Sequence, residues 1–153
     1  MSIKLFVTWV LFACCLIMSV SGCEPERTTT PVLPGQIAVF KITFSPNPVY
    51  QGYSDTYRFT VFIEEVNGVG ARVSSLKVED VDQDGAVLHT DQYNEQDVVR
   101  TFGTSRIEAF GKLMTNVALT QCYGCSRENW LVRADDDQGN DVEYAQSVEL
   151  ITR

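Results

Sequence analysis

Tyr57-Arg58-Phe59-Thr60-Val61-Phe62-Ile63-Glu64 places Tyr57, Phe59, Val61 and Ile63 on one face of an extended chain and Arg58, Thr60 and Glu64 on the other. Successive side chains of a strand point to opposite faces, so a period of two over this length marks a half-buried strand. The period extends in both directions. Upstream, Ala38, Phe40, Ile42 and Phe44 share a face, and the run stops at Ser45-Pro46-Asn47-Pro48, where prolines lacking an N–H end a hydrogen-bonded ladder. Downstream, Leu76 and Val78 alternate with Lys77 and Glu79, and Val87 to His89 returns from them. Val117 and Leu119 lie in another strand, Trp130, Val132 and Ala134 alternate with Leu131 and Arg133, and Val142, Tyr144, Val148 and Leu150 close the chain. No stretch of useful length carries a helical period. About seven strands broken by turn residues predict one all-β domain over residues 36–153, a two-sheet antiparallel sandwich. A small closed barrel is the alternative.

Composition agrees with a single globular domain. The 153 residues are 44% hydrophobic and 10% aromatic, with only 21% charged, too apolar a balance for a disordered chain. Twelve Lys and Arg stand against 20 Asp and Glu, a formal net charge of -8. The cations form no run, so a phosphate-binding surface has no footing and nucleic acid is excluded as a partner. His89 is the only histidine, which leaves few acid–base arrangements that work near neutral pH. G-x-S-x-G, H-E-x-x-H and a glycine-rich phosphate loop are all absent from the sequence, and nothing singles out two acids as a glycoside-cleaving pair. The chain reads as a non-enzyme.

Residues 1–22 read as an address. Leu5 to Val20 is an almost unbroken apolar run of 16 residues behind Lys4; it falls short of the ~20 a spanning helix needs and fits a secretory signal. Val20-Ser21-Gly22-Cys23 resembles the lipobox of bacterial lipoproteins, in which small residues precede a lipidated cysteine. The resemblance implies cleavage after Gly22, a diacylglycerol and an N-acyl chain on Cys23, and attachment to a membrane. An ordinary signal peptide cut at Gly22 is the alternative. Of the five cysteines, Cys14 and Cys15 leave with the signal and Cys122 can pair with Cys125, which leaves Cys23 over. Acylation accounts for that odd thiol in an oxidising compartment. Two or three acyl chains hold a protein stably where one does not. Glu24 stands where an Asp would, in enterobacteria-like sorting, favour inner-membrane retention, so the expected place is the cell envelope, at the outer membrane if the source is Gram-negative. Residues 23–35 carry three Pro and three Thr and read as an extended tether.

Phe44-Ser-Pro-Asn-Pro-Val-Tyr-Gln-Gly52, Asn67-Gly68 and Ala134-Asp-Asp-Asp-Gln-Gly-Asn140 resemble the turns of bacterial immunoglobulin-like domains, including the cell-adhesion-related ones. The resemblance spans most of residues 37–151 and implies an immunoglobulin-like sandwich. It departs from the antibody pattern, having no Cys…Trp…Cys core and no Tyr two residues before a second Cys. Trp130 is therefore expected to fill the core alone, and no antibody-type partner is implied.

Three local features bear on chemistry. Cys122-Tyr123-Gly124-Cys125 lies between two strands; a four-residue turn brings its ends within disulfide range, with Gly124 supplying the positive φ of a type II turn. The expectation is a structural disulfide, since a redox pair needs a helix N-terminus and a zinc site needs a second Cys or His pair. Asp80, Asp82, Asp84, Gly85 and Asp91 match positions 1, 3, 5, 6 and 12 of a calcium loop, but strand-like flanks make a plain hairpin the competing reading and any calcium site a weak one. Asp135-Asp136-Asp137-Gln138-Gly139-Asn140-Asp141 is a second acidic turn, expected at the opposite pole. Phe102, Arg106 and Phe110 form a candidate binding surface, with burial in an irregular edge as the alternative. Together these features predict a lipid-anchored envelope protein presenting a binding or scaffolding module to an envelope protein or glycan. A small thiol-disulfide or calcium-dependent enzyme is the rival.

Overall fold

The computed structural model describes residues 32–120 and 122–152; residues 1–22, the lipidation site Cys23 and most of the expected tether lie outside them. Nine strands and one helix follow in the order β1 (Phe40–Ser45), β2 (Val49–Tyr50), β3 (Thr56–Glu65), β4 (Ala71–Val81), β5 (Val87–Asn94), α1 (Glu95–Phe102), β6 (Arg106–Ile107), β7 (Lys112–Thr120), β8 (Arg127–Asp136) and β9 (Asp141–Ile151). They form two sheets, β1-β3-β7 and β2-β9-β8-β4-β5, with β6 beside the start of β4. Every pairing is antiparallel except β2 with β9. The exception has a local cause. β1 ends at Ser45-Pro46-Asn47-Pro48, where the missing N–H groups release the chain from β3, and β2 then joins the other sheet alongside the end of β9.

This is an all-β immunoglobulin-like sandwich by its own strand order. In that architecture the first, second and fifth strands share one sheet, and the seventh, sixth, third and an added edge strand share the other. Counting only the seven strands longer than two residues, β1-β3-β7 and β9-β8-β4-β5 reproduce the order. The small sheet lacks a fourth strand; α1 and β6 occupy the stretch of chain between β5 and β7. The inward faces follow the alternation read from sequence. Phe40, Ile42, Phe44, Tyr57, Phe59, Val61 and Ile63 from one sheet meet Leu76, Val78, Trp130, Val132, Ala134, Val148 and Leu150 from the other, all buried. Trp130 does not fill the core alone: Phe44 packs edge-on against both Phe59 and Trp130, with ring centroids 6.0 Å apart in each pair. Phe40 and Tyr144 make a second such contact between the sheets at 5.5 Å.

The helix corrects the expectation that none would form. Asn94 Oδ1 accepts from the N–H groups of Gln96 and Asp97, and Asp97 Oδ2 accepts in return from Asn94 N, which completes a capping box. Gly103 closes the other end at φ 83°, donating to Val99 O at 2.8 Å. Val98 is the one buried residue of α1, and Phe102 one turn on packs partly against the core. Two apolar positions are too few to show a period in the sequence.

At the pole where the chain enters, buried carboxylates do the fastening. Glu65 ends the inward row of β3 with 2% of its surface exposed. Its Oε1 accepts from Val39 N (3.3 Å) and Asn67 N (2.8 Å), its Oε2 from Gly68 N (2.8 Å) and Phe110 N (3.0 Å). One side chain thus joins the lead into β1, the β3–β4 turn and the turn before β7. Burial raises its pKa, but the four backbone donors outweigh that and hold the carboxyl below the usual range. Asp136 does the same for the β8–β9 turn, accepting from Ala38 N, Gln138 N and Asn140 N. Within the expected tether, Val32 packs against the core and Gln36 N donates to Leu33 O at 3.0 Å.

Replacing Glu65 by Ala leaves the buried Gly68 N–H and three half-buried donors without their acceptor. The expected loss is roughly 3–5 kcal/mol in urea unfolding, the range for breaking a buried charged network. A loss below about 1 kcal/mol would mean that water replaces the carboxylate.

Candidate functional site

The opposite pole is built from three turns. Cys122 and Cys125 are joined in the turn from β7 to β8, with Cα atoms 5.6 Å apart and Gly124 at φ 82°, as the spacing predicts. Ser126 ties this turn to the β4–β5 hairpin: its N–H donates to Val81 O at 2.8 Å and its hydroxyl to Asp82 O at 2.7 Å. Leu150 N donates to Ser126 O, and Gln51 N to Ile151 O, which brings in the turn between β2 and β3. Large side chains stand out from all three turns, Tyr53 at 99% and Tyr123 at 77% exposure, with Val87 and Leu88 about half exposed.

Behind the turns lies an acidic recess. Val78, Asp80 and Leu76 face inward from β4; Glu128 faces inward from β8, two positions before Trp130. Asp80 and Glu128 are cross-strand partners, and His89 is the partner of Asp80 on β5. The row Glu128, Asp80, His89 therefore shares one face of the sheet. Glu128 is 4% and Asp80 8% exposed, whereas His89 and Asp91 are open to solvent and contact each other at 3.2 Å. The difference follows from the sheets' widths, because β5 lies at the edge of the larger sheet with no strand of the small sheet paired beyond β7 to cover His89 and Asp91. Burial pushes the Glu128 carboxyl up to about 7; the Trp130 indole N–H, donating to Oε2 at 2.9 Å, opposes this, and the Asp80 and Asp91 charges add to it. Asp80 is also raised, by burial first, with His89 lowering it and Asp91 raising it. Tyr93, in the same recess, is raised by burial and by Asp91, Glu128, Asp97 and Asp80.

The residues predicted for calcium do not converge. Asp82 is spent within the hairpin, its Oδ1 accepting from Asp84 N (2.9 Å) and Ala86 N (2.8 Å). Asp91 has returned along β5 to lie opposite Val78. Asp80 is the only one of the four that belongs to a close group of three or more potential ligands among the described residues. A calcium loop must wrap its ligands around one ion, and a hairpin separates them along two strands. The predicted binding surface is likewise divided. Phe102 packs partly into the core; Arg106 is held by Asp137, Nη2 to Oδ2 at 2.7 Å, and by Glu108 at 3.3 Å. Phe110 is exposed at φ 57° with its ring against Gly68. Arg106 and Phe110 sit at the entry pole with the second acidic turn, whereas Phe102 follows Thr101, whose carbonyl meets Thr115 midway along β7. Glu128 is missed by the sequence patterns and Asp80 is reached only as a loop ligand, although the alternation that places Trp130 and Val78 inward places them inward too.

No family model matches the chain, and no curated protein matches it. Among solved structures, it is similar to the structural-genomics target SoR45 (11% identity over 78% of this chain and 90% of that one, TM-score 0.48). It is also similar to murine CRIg (15% identity, 76% and 98%, TM-score 0.45). A third is the CARDB domain of PF1109 from Pyrococcus furiosus (12% identity, 76% and 97%, TM-score 0.38). Likenesses this distant say nothing of ligand or activity, and the fold assignment rests on the strand order.

Two outcomes follow from the recess. Glu128 binds its proton more tightly folded than unfolded, so between pH 4.5 and about 7 the native state holds the extra proton and stability falls as pH rises through that window. At about 1.4 kcal/mol per tenfold change in proton affinity, the effect is at most roughly 3 kcal/mol. Urea titrations should show this decline in the wild type and a flatter profile, more stable at pH 8, in Glu128→Gln. Melting temperature should be the same in millimolar calcium and in chelator; a calcium-dependent rise, abolished by Asp82→Asn, would show that the hairpin rearranges around an ion.

Proposed function

We propose that this chain is a lipid-anchored cell-envelope protein whose sandwich is a non-catalytic binding or scaffolding module for an envelope protein or glycan. On this reading Cys23 carries the diacylglycerol and N-acyl chains, and the module presents its disulfide pole away from the membrane, the outer membrane in a Gram-negative source. The observation that carries the reading is the direction of the chain. Residues 32–39 reach the sandwich at the pole fastened by Glu65 and Asp136, whereas the turns bearing Tyr53, Leu88 and Tyr123 stand at the far ends of the long strands. Strands of 10 or 11 residues separate the poles by about 30–35 Å. Exposed tyrosines suit a contact surface, offering large area with a hydrogen-bonding tip at low entropic cost. The non-catalytic reading draws on the setting of Cys122 and Cys125, a turn between two strands without the helix N-terminus that activates a thiol in redox enzymes.

The anchor and the contact surface are tested separately. Cys23→Ser should yield an unprocessed or soluble protein, and intact mass of the wild type should show the acyl groups; a wild type without them would end the anchor reading. Tyr53→Asp with Tyr123→Asp should leave the melting temperature unchanged, because both side chains are exposed, and should remove the neighbours crosslinked to the wild type in intact envelopes. Unchanged neighbours would move the contact surface elsewhere.

A further inference from the structure

The recess holds one group that the fold does not use. Asp80 as a residue is 8% exposed, and its carboxylate accepts no hydrogen bond and makes no ion pair among the described residues, its oxygens keeping contact with solvent; the charges it feels are those of His89 and Asp91 on β5. Glu65 and Asp136, buried to a similar degree, each accept at least three backbone N–H groups. A carboxylate drawn back among its neighbours with no protein donor, and open on one side, is available to a ligand from solvent. What Asp80 meets is the disulfide: its oxygen and the Sγ atoms of Cys122 and Cys125 all lie within 4.8 Å of one another.

Sulfurs bonded to each other cannot each bind a cation, but two thiolates in that place can. We propose that Cys122, Cys125 and Asp80 form a zinc site when the disulfide is reduced, so that this pole alternates between a closed disulfide and a metal-bound dithiolate. Two thiolates select a borderline or soft cation over calcium or magnesium, and a carboxylate is a common third ligand for zinc. Bond lengths of about 2.3 Å to sulfur and 2.0–2.2 Å to oxygen put tetrahedral ligands roughly 3.5–3.8 Å apart, so once the S–S bond is broken the two sulfurs must move apart, which rotation of their side chains in the turn allows. Three protein ligands leave a fourth position for water. The balance is simple: a dithiol reductant supplies two electrons and two protons and becomes a disulfide, Cys122 and Cys125 become thiols, and Zn²⁺ displaces both protons as it binds. Newly made chain, not yet oxidised, carries the same site. A count of Cys and His residues cannot find it, because the third ligand is an Asp some forty residues upstream that pairing with β8 delivers to the turn.

The full chain, purified in detergent, is titrated with Co²⁺ and Zn²⁺ under anaerobic conditions, oxidised and after reduction with a phosphine. The reduced protein should bind one ion per chain and show with Co²⁺ both the thiolate charge-transfer band and the strong visible absorption of a tetrahedral site. The oxidised protein should show neither. Asp80→Asn, which keeps the fold by removing only a buried charge, should weaken Zn²⁺ at least tenfold, while Asp84→Asn in the nearby hairpin leaves affinity unchanged. Equal binding by the oxidised protein, absence of the thiolate band, or an Asp80→Asn affinity matching wild type would overturn the proposal.

Discussion

A sheet of three strands cannot cover one of six, and that mismatch governs the rest of the molecule. Where the sheets overlap, Phe44, Phe59 and Trp130 lock them together and the interior is apolar. Beyond β7 no further strand of the small sheet lies over β5; α1 reaches its Tyr93 end, while His89 and Asp91 stay open to solvent. In an immunoglobulin order with a full small sheet, a further strand flanks this region; here the chain spends those residues on α1 and β6. The recess is thus a consequence of topology, and Asp80 and Glu128 stand on its margin, buried by their neighbours and still within reach of water and ions.

The two poles use the same chemical group in opposite ways. At the entry pole, Glu65 and Asp136 are ionised carboxylates surrounded by backbone N–H donors, and their pKa values are lowered despite burial. They act as fixed joints between turns. At the far pole, Asp80 and Glu128 are raised because burial is not met by enough donors. Such groups change state with pH or with a cation, whereas satisfied ones do not. A module rigid where it is held and responsive where it is free matches the direction in which the proposed anchor would pull.

Much of the architecture could be read from alternation alone. The inward rows of β1, β3, β4 and β8 are those that Phe40, Tyr57, Leu76 and Trp130 announce, because a period of two survives any tertiary arrangement that buries one face. The same logic carried one step further reaches Glu65, Asp80 and Glu128, where charge argues for an outward or turn position and parity argues inward; parity wins because each sits next to a fixed apolar neighbour. α1 escaped because a helix of two turns shows no period, although Asn94-Glu-Gln-Asp97 spells its cap. The twelve-position match from Asp80 to Asp91 shows how spacing and geometry part: ligand spacing in sequence becomes ligand convergence only if the loop wraps, and here β4 and β5 pair. Phe102, Arg106 and Phe110 illustrate the limit of composition, which cannot tell a contact surface from an edge clamp such as Arg106 on Asp137.

The central claim is that the disulfide pole meets the partner and the entry pole faces the anchor. Photo-crosslinking amino acids placed singly at Tyr53, Tyr123, Leu33 and Phe110, with the full chain in its native envelope, test this directly. Protein or glycan adducts should form from positions 53 and 123 and lipid adducts from positions 33 and 110. Partner adducts confined to positions 33 and 110, with none from the disulfide pole, would contradict it.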